Sequence, residues 1–284
     1  MRSWLHPLRR LSQQAFLAAT AAVGMLALGS QSLAAEHVEA VDRGALRVCA
    51  DPRSLPFSNQ KLEGFENKIA DLLARDLKVP VRYTWYPDTV GFLRNTLDAR
   101  RCDLVIGIVA GADLVLNTNP YYRTCYVIAT RRMDNLGIDQ LSNPRLKTLK
   151  IGLTAGTPPS TVIAALGLMR NVKPYPLMID TRFDQPGKDM IDDLAKGEID
   201  AAILWGPIAG YYAKLYHDKL KVTPLLKEAK DARMDFYITM GVRPNEIEWK
   251  REINRLIDQN RDGIAAILKD YGVPMLDAQG NPLP

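Results

Sequence analysis

Short β-branched runs alternate along the chain with segments whose apolar residues recur every three or four positions. "LRVCA" (Leu46–Ala50) reads as a buried strand that ends in the turn "DPRSLPFSN". Phe65, Ile69, Leu72, Leu73 and Leu77 then share one helical face, which predicts an amphipathic helix. "VRYTWY" alternates as a strand, and "GFLRNTLDAR" reads as a short helix. "DLVIGIV" (103–109) is apolar throughout, as in a parallel strand covered on both faces. "PYYRTCYVIATRR" is extended and long enough to run between two bodies.

A second unit repeats the alternation. "LKIGLTAGTPPSTVIAALG" is strand, glycine turn and helix, with Pro158 and Pro159 at the start, where a missing N–H costs little. "GKDMIDDLAKGEIDAAILWGP" is a helix stopped by Gly197, then a strand and a Gly-Pro turn, and "FYITMGVR" (236–243) is a return strand. Asn245 with Glu248 makes a capping-box-like start. One long final helix follows, with Ile253, Leu256, Ile257, Ile264, Ile267, Leu268 and Tyr271 on one side. Strands alternating with helices predict an α/β fold in two lobes, with the chain crossing near 126–132 and again near 236–242. Lobe 1 would comprise 35–131 with 238–284, and lobe 2 would comprise 132–237. Ligand sites in such sheets collect at strand carboxyl ends, here "DPRSLPF", "GIVAG", "TAGTPP" and "LWGP".

The first 34 residues stand outside this pattern. Arg2, Arg9 and Arg10 precede an uncharged run over 15–29, and "SQSLAA" offers small residues at Ser32 and Ala34. This predicts a cleavable export signal; the run is short of the roughly 20 apolar residues a spanning helix needs. The whole chain carries +5, and losing those three arginines leaves +2, so nucleic acid is not an implied partner. An oxidising destination permits one disulfide among Cys49, Cys102 and Cys125. A Cys49–Cys102 bridge is one reading, and three small buried thiols are the other. His37 and His217 are isolated, which argues against a metal site.

"TAGTPPS", with Gly156 and Thr157, is a candidate anion cradle at a helix start, or else an ordinary strand-to-helix turn. It lacks the Lys-Ser/Thr ending of a nucleotide loop. "GLTAG" imitates a nucleophile elbow with Thr154 at its centre, but only His217 is available as a base. Asp189, Asp192 and Asp193 read as solvated partners of a helix start. Phe57, Trp85, Tyr121, Tyr122, Trp205, Tyr211 and Tyr212 gather at the expected rim, with about half of them expected in the core.

"LRVCADPRSLPFSN", "GFENKIADLLA", "CDLVIG", "PYYRTCYVIATRR" and "DAAILWGP", in this order, resemble periplasmic substrate-binding proteins of the amino-acid-carrier type (family 3). That resemblance implies the two-lobed, type II periplasmic-binding-protein fold with two hinge crossings. "GFENKIA", "GFLRNTL", "GTPP" and "GKDMIDDLAKGEIDAAILWGPIAGYYA" look like the quinoprotein-dehydrogenase-associated branch, the J proteins of methanol-oxidation clusters. Amino-acid carriers hold the substrate carboxylate with an arginine some nine residues before the "PY". Here that count reaches Gly111, and no arginine or lysine lies between residues 102 and 122. Asn67 stands where many carriers place an acid; it either faces a ligand or packs locally, and local packing is favoured.

The cleft residues expected on these grounds are Asp51, Phe57, Asn67, Tyr121, Tyr122, Gly156, Thr157 and Trp205, with no catalytic residue and no cofactor of the chain's own. The resemblance implies a non-enzymatic periplasmic accessory of a PQQ-dependent alcohol dehydrogenase. Two other readings are a transport receptor for a small solute that is not an α-amino acid, and an enzyme built around Asp51.

Overall fold

The computed structural model describes residues 40–229 and 232–284, so the expected export signal lies outside the described residues. β1 (Leu46–Ala50) leads into a hairpin of β2 (Arg53–Ser54) and β3 (Ser58–Asn59). α1 (Phe65–Leu77) buries Phe65, Ile69, Ala70 and Leu73, the face that the spacing predicts, and returns the chain to β4 (Val81–Trp85). A one-turn α2 (Phe92–Asn95) precedes β5 (Leu104–Val109). β1 lies between β4 and β5, parallel to both.

β6 (Leu116–Asn117) is a short edge piece, and β7 (Tyr122–Arg131) is the longest strand. The second unit then runs β8 (Ile151–Thr154), α3 (Pro158–Ala165), β9 (Val172–Tyr175), α4 (Pro186–Lys196) and β10 (Ala201–Trp205). α5 (Gly206–Lys214), β11 (Leu220–Pro224) and β12 (Asp235–Val242) complete it. The expected single final helix is two, α6 (Ile247–Gln259) and α7 (Arg261–Asp270). The break falls at Asn260, whose amide donates to the Leu256 carbonyl and to Asp76. The start differs as well: Glu246, not Asn245, is the N-cap residue, and its carboxylate bonds to Arg243 (3.1 Å) and the Ala40 N–H (3.1 Å) rather than capping the helix.

The sheet order is β4-β1-β5-β12-β7-β10-β8-β9, with β11 also on β7 and β6 also on β12. β7 changes partner along its length. Tyr122 to Cys125 pair with Ile238 to Asp235 of β12, whereas Tyr126 to Thr130 pair with β10. β12 in turn leaves β7 after Ile238 and pairs with β5. The two halves of the sheet are therefore joined over residues 122–125 and 235–238, earlier on both strands than the sequence places the crossings. Residues 127–131 are no linker, because β10 and β11 flank them in the second half.

Each half has its own core. In the first, Leu46, Phe65, Ile69, Leu104, Met240, Ile253 and Leu268 pack together; Phe92, Leu97 and Val105 fill the sheet's other face. In the second, alternate residues of β10 serve opposite faces: Ala202 and Leu204 join one cluster, and Ala201 and Ile203 join the other. The proline-rich tail reaches the second half. Thr124 bridges to Met275, Leu276 is buried in the second core, and the Arg123 guanidinium donates to the Asp277 and Ala278 carbonyls.

Two fixed links hold the first half. Cys49 and Cys102 form a disulfide with Cα atoms 5.5 Å apart, while Cys125 is free and buried. The fully buried Asp103 carboxylate takes Arg47 and Arg243, each at 2.7 Å, and Arg243 also donates to the Leu97 and Cys102 carbonyls. Removing one member of such a buried charge network costs about 3–5 kcal/mol, and a disulfide over a loop of this length contributes about 2–4 kcal/mol. Urea unfolding of Asp103→Ala is therefore expected to show the larger loss. The Cys49→Ser/Cys102→Ser double variant is expected to fall by roughly half to all of that amount.

Candidate functional site

A cleft opens where the strands of both halves end. On the first-half side, a cavity of about 690 Å³ is walled by the ends of β1 and β5, by Glu66 of α1 and by the 88–94 loop. On the second-half side, a cavity of about 440 Å³ runs under residues 176–188, against Thr154, Thr157, Leu204 and Ile208. Ser54, Phe57, Asp88, Val109 and Trp205 line both and separate one from the other.

Asp51 sits at the front of this partition, 4% exposed. Its carboxylate accepts the N–H groups of Arg53 and Asp88, both at 2.7 Å. It also accepts the Thr181 hydroxyl from the opposite half, at 2.7 and 2.8 Å to its two oxygens. Around this contact, Arg53 donates to the Arg182 carbonyl (2.7 Å), Gln185 to the Arg53 carbonyl (3.1 Å), and Tyr212 to the Leu55 carbonyl (3.2 Å). Asp51 is thus the receiving end of a latch across the cleft. With its lone pairs occupied by three donors, it makes a poor general base.

Five of the eight residues expected in the cleft line it. Asp51, Phe57, Tyr122 and Trp205 face the first cavity, and Phe57, Thr157 and Trp205 face the second. Asn67 does not: it is fully buried, and its carbonyl oxygen accepts the N–H groups of Asn59 and Gly64, both at 3.1 Å. It ties the hairpin to the start of α1, so it acts locally. Tyr121 lines neither cavity: it packs against the first core beside Tyr122, with the two ring centroids 4.9 Å apart. Gly156 is exposed in the turn after β8 at φ +74°, and it touches neither cavity.

The anion cradle is not built either. Pro158 and Pro159 remove the first two N–H groups of α3, and those of Ser160 and Thr161 bond to the Thr157 carbonyl. The remaining expected rim aromatics divide. Trp85 stacks on Tyr83 (4.6 Å) and Tyr211 on Tyr271 (5.8 Å), while Tyr212 reaches the second cavity.

The acid that faces the cleft is Glu66, one residue before Asn67. Its carboxyl occupies the space above Gly107, where a Cβ would come within 2.0 Å of Oε1; Gly107 is also at φ +91°. The Glu66 carboxyl accepts no hydrogen bond from the described residues. Burial pushes its pKa well above the ordinary range, and the neighbouring Asp88 and Asp51 add to the shift. Asp88 is exposed to solvent along much of its length, but its carboxyl lies at the partition, where loss of hydration first and Asp51 second push it up to about 6. The letters "GFE" could have identified Glu66, since the second residue of the helix lies on the open side when the third is tied inward.

The second cavity has a different character. Trp205, Tyr126 and Phe236 meet edge to face, with ring centroids 5.0, 5.8 and 6.2 Å apart. Lys188 is held by Asp192 at 2.6 Å, and Arg53 by the latch. Around the mouth, Val90, Leu114, Leu177 and Met178 are 54–83% exposed, two on each wall.

Two mixed halves joined by a pair of antiparallel strands, with a cleft at the strand ends, form the two-lobed, type II periplasmic-binding-protein fold. This chain belongs to the bacterial extracellular solute-binding proteins, family 3, whose match spans residues 46–273. Within that family its relatives are J proteins. It is 31% identical to Protein MoxJ of Methylorubrum extorquens, over 94% of this chain and 97% of that protein. It is 42% identical to the crystal structure of the periplasmic binding protein XoxJ from Methylobacterium extorquens AM1. That comparison covers 82% of this chain and 99% of the other, with a TM-score of 0.70. The crystal structure of MxaJ from Methlophaga aminisulfidivorans MPT gives a TM-score of 0.72 at 25% identity, over 81% and 100% of the two chains.

A carboxyl whose folded pKa lies above its unfolded value favours folding at low pH, and that contribution is lost as pH rises through the folded value. Glu66→Gln is therefore expected to raise the melting temperature more at about pH 8 than at about pH 5, in paired thermal scans. Thr181→Val is expected to release the latch and increase the radius of gyration in X-ray scattering. Losing that bond should change stability by only about 1 kcal/mol.

Proposed function

We propose that this chain is a non-enzymatic periplasmic accessory protein that receives a segment of a PQQ-dependent alcohol dehydrogenase in its cleft and assists its maturation or activation. The observation that carries this reading is the mouth of the cleft. Exposed apolar side chains stand on both walls, and no basic residue occupies the position that clamps an α-carboxylate in amino-acid carriers. Exposed apolar groups around a concave site are what a docking partner covers. The J-protein relatives support the same direction. The quinone and its metal belong to the partner. We place the mature chain in the periplasm after loss of residues 1–34. We place the lobe limits near Cys125, where β7 passes from β12 to β10, and near Ile238, where β12 passes from β7 to β5.

A second reading is an ABC-transporter receptor for a small organic solute that is not an ordinary α-amino acid. The aromatic second cavity favours it, being of a size that suits a small ligand.

Affinity purification of the tagged protein from periplasm is expected to retain the quinoprotein dehydrogenase, and deletion is expected to lower the dehydrogenase's activity. Full activity after deletion, with no dehydrogenase retained, would remove the accessory reading. Strong thermal stabilisation by one metabolite would establish the receptor, since a ligand at 100 times its Kd adds about 2.7 kcal/mol.

A further inference from the structure

The two cavities differ in charge, and that difference specifies an occupant. Among the described residues, the first is lined by four carboxyls, Asp51, Glu66, Asp88 and Asp98, against one guanidinium, the exposed Arg94. In the second, Arg53 is held by the latch and Lys188 by Asp192, and the wall between them is aromatic and aliphatic. Asp51 is satisfied by its three donors, but Glu66 meets none. A carboxyl enclosed without a donor is costly, and a cation that reaches it relieves that cost. The described carboxyls include no group that could hold a metal ion, so a cation carried on an organic chain suits them better.

We propose that the occupant is an extended apolar peptide segment of the partner bearing one lysine or arginine. Its cation seats at Glu66 and Asp88, and its flanking apolar side chains lie on Trp205, Tyr126, Phe236 and the exposed rim. This rests on the docking reading and specifies what docks. It is the inverse of an amino-acid carrier's preference: the cleft seeks a positive group, and its one guanidinium, Arg94, is outnumbered by four carboxyls. The groups facing Glu66 are Asp51, Asp88, Tyr83, Tyr121 and Tyr122, with Arg94 and Asp98 on the same wall. Asp88 ionises at about 6, so the cation is held more tightly above that pH than below it.

The test is a displayed random-heptapeptide library selected on the mature protein and on Glu66→Gln/Asp88→Asn, with both first shown to melt cooperatively. Wild type is expected to enrich peptides with one lysine or arginine among leucine, isoleucine, phenylalanine or tryptophan. Replacing that lysine by norleucine should weaken fluorescence-polarisation binding by about tenfold or more, and the double variant should lose most of this ratio. Enrichment of acidic or uncharged peptides overturns the proposal, as does a ratio unchanged in the double variant, or no enrichment at all. Saturation by hexylamine with no peptide enriched overturns it in favour of a small-amine receptor. A parallel purification separates the two ideas. If the dehydrogenase is retained equally by wild type and double variant, docking stands and the cation seat falls. If basic apolar peptides are enriched but no dehydrogenase is retained, the dehydrogenase reading falls alone.

Discussion

The pairing of β7 with β12 over only four residues on each strand is the constraint on which the cleft depends. Two cores meet at a ladder this short, so the backbone alone does little to set the angle between them. The remaining geometry comes from contacts on either side of it. Behind the junction, α5 lies directly on the turn after α7: a Cβ on Gly210 would stand 1.9 Å from the Gly272 carbonyl oxygen. Only glycine permits that approach. Gly206, in the same helix, faces the Cys125 carbonyl and Pro274 in the same way. Tyr211 stacked on Tyr271, Lys214 bonded to Asp270, and the tail running to Leu276 extend the seam.

In front of the junction the ties are polar and fewer. Asp51 and Thr181 hold the walls together, with Arg53 and Gln185 beside them. The back is backbone against backbone, whereas the front is a small set of hydrogen bonds, each of modest net worth in contact with water. Opening at the front about a fixed back is the easier motion.

Local pattern was enough for the elements whose environment is set by neighbours in sequence. "DLVIGIV" is a central strand apolar on both faces, parallel to β1 though antiparallel to β12, and the α1 stripe is buried where its period puts it. Legibility ended where a distant residue decides. Asn67 stands where carriers place a ligand acid, with local packing the favoured reading, but the Asn59 and Gly64 amides that claim it are brought to it only by the hairpin fold. Glu66 then becomes the member of that turn that faces the cleft. Tyr126 and Phe236 read as strand residues until the registers of β7 on β10 and on β12 set them beside Trp205. Thr181 carries no motif, and its role exists only because a loop of one half folds over the other. The final helix divides at Asn260 because a side-chain amide bonds to a carbonyl one turn back, and no apolar period records that.

The chemistry of the cleft follows from keeping the scaffold while changing what its walls present. A receptor for zwitterions needs a fixed cation on one side and a counter-acid on the other, and this cleft supplies acids without the fixed cation. Burial raises the pKa of the Glu66 carboxyl, and the neighbouring Asp88 and Asp51 add to it, so in an empty cleft Glu66 keeps its proton more readily. A site of that kind is poised for a positive group that displaces a proton on arrival. The exposed aliphatic rim is a liability in a free receptor, and it acquires a use once something apolar lies across it.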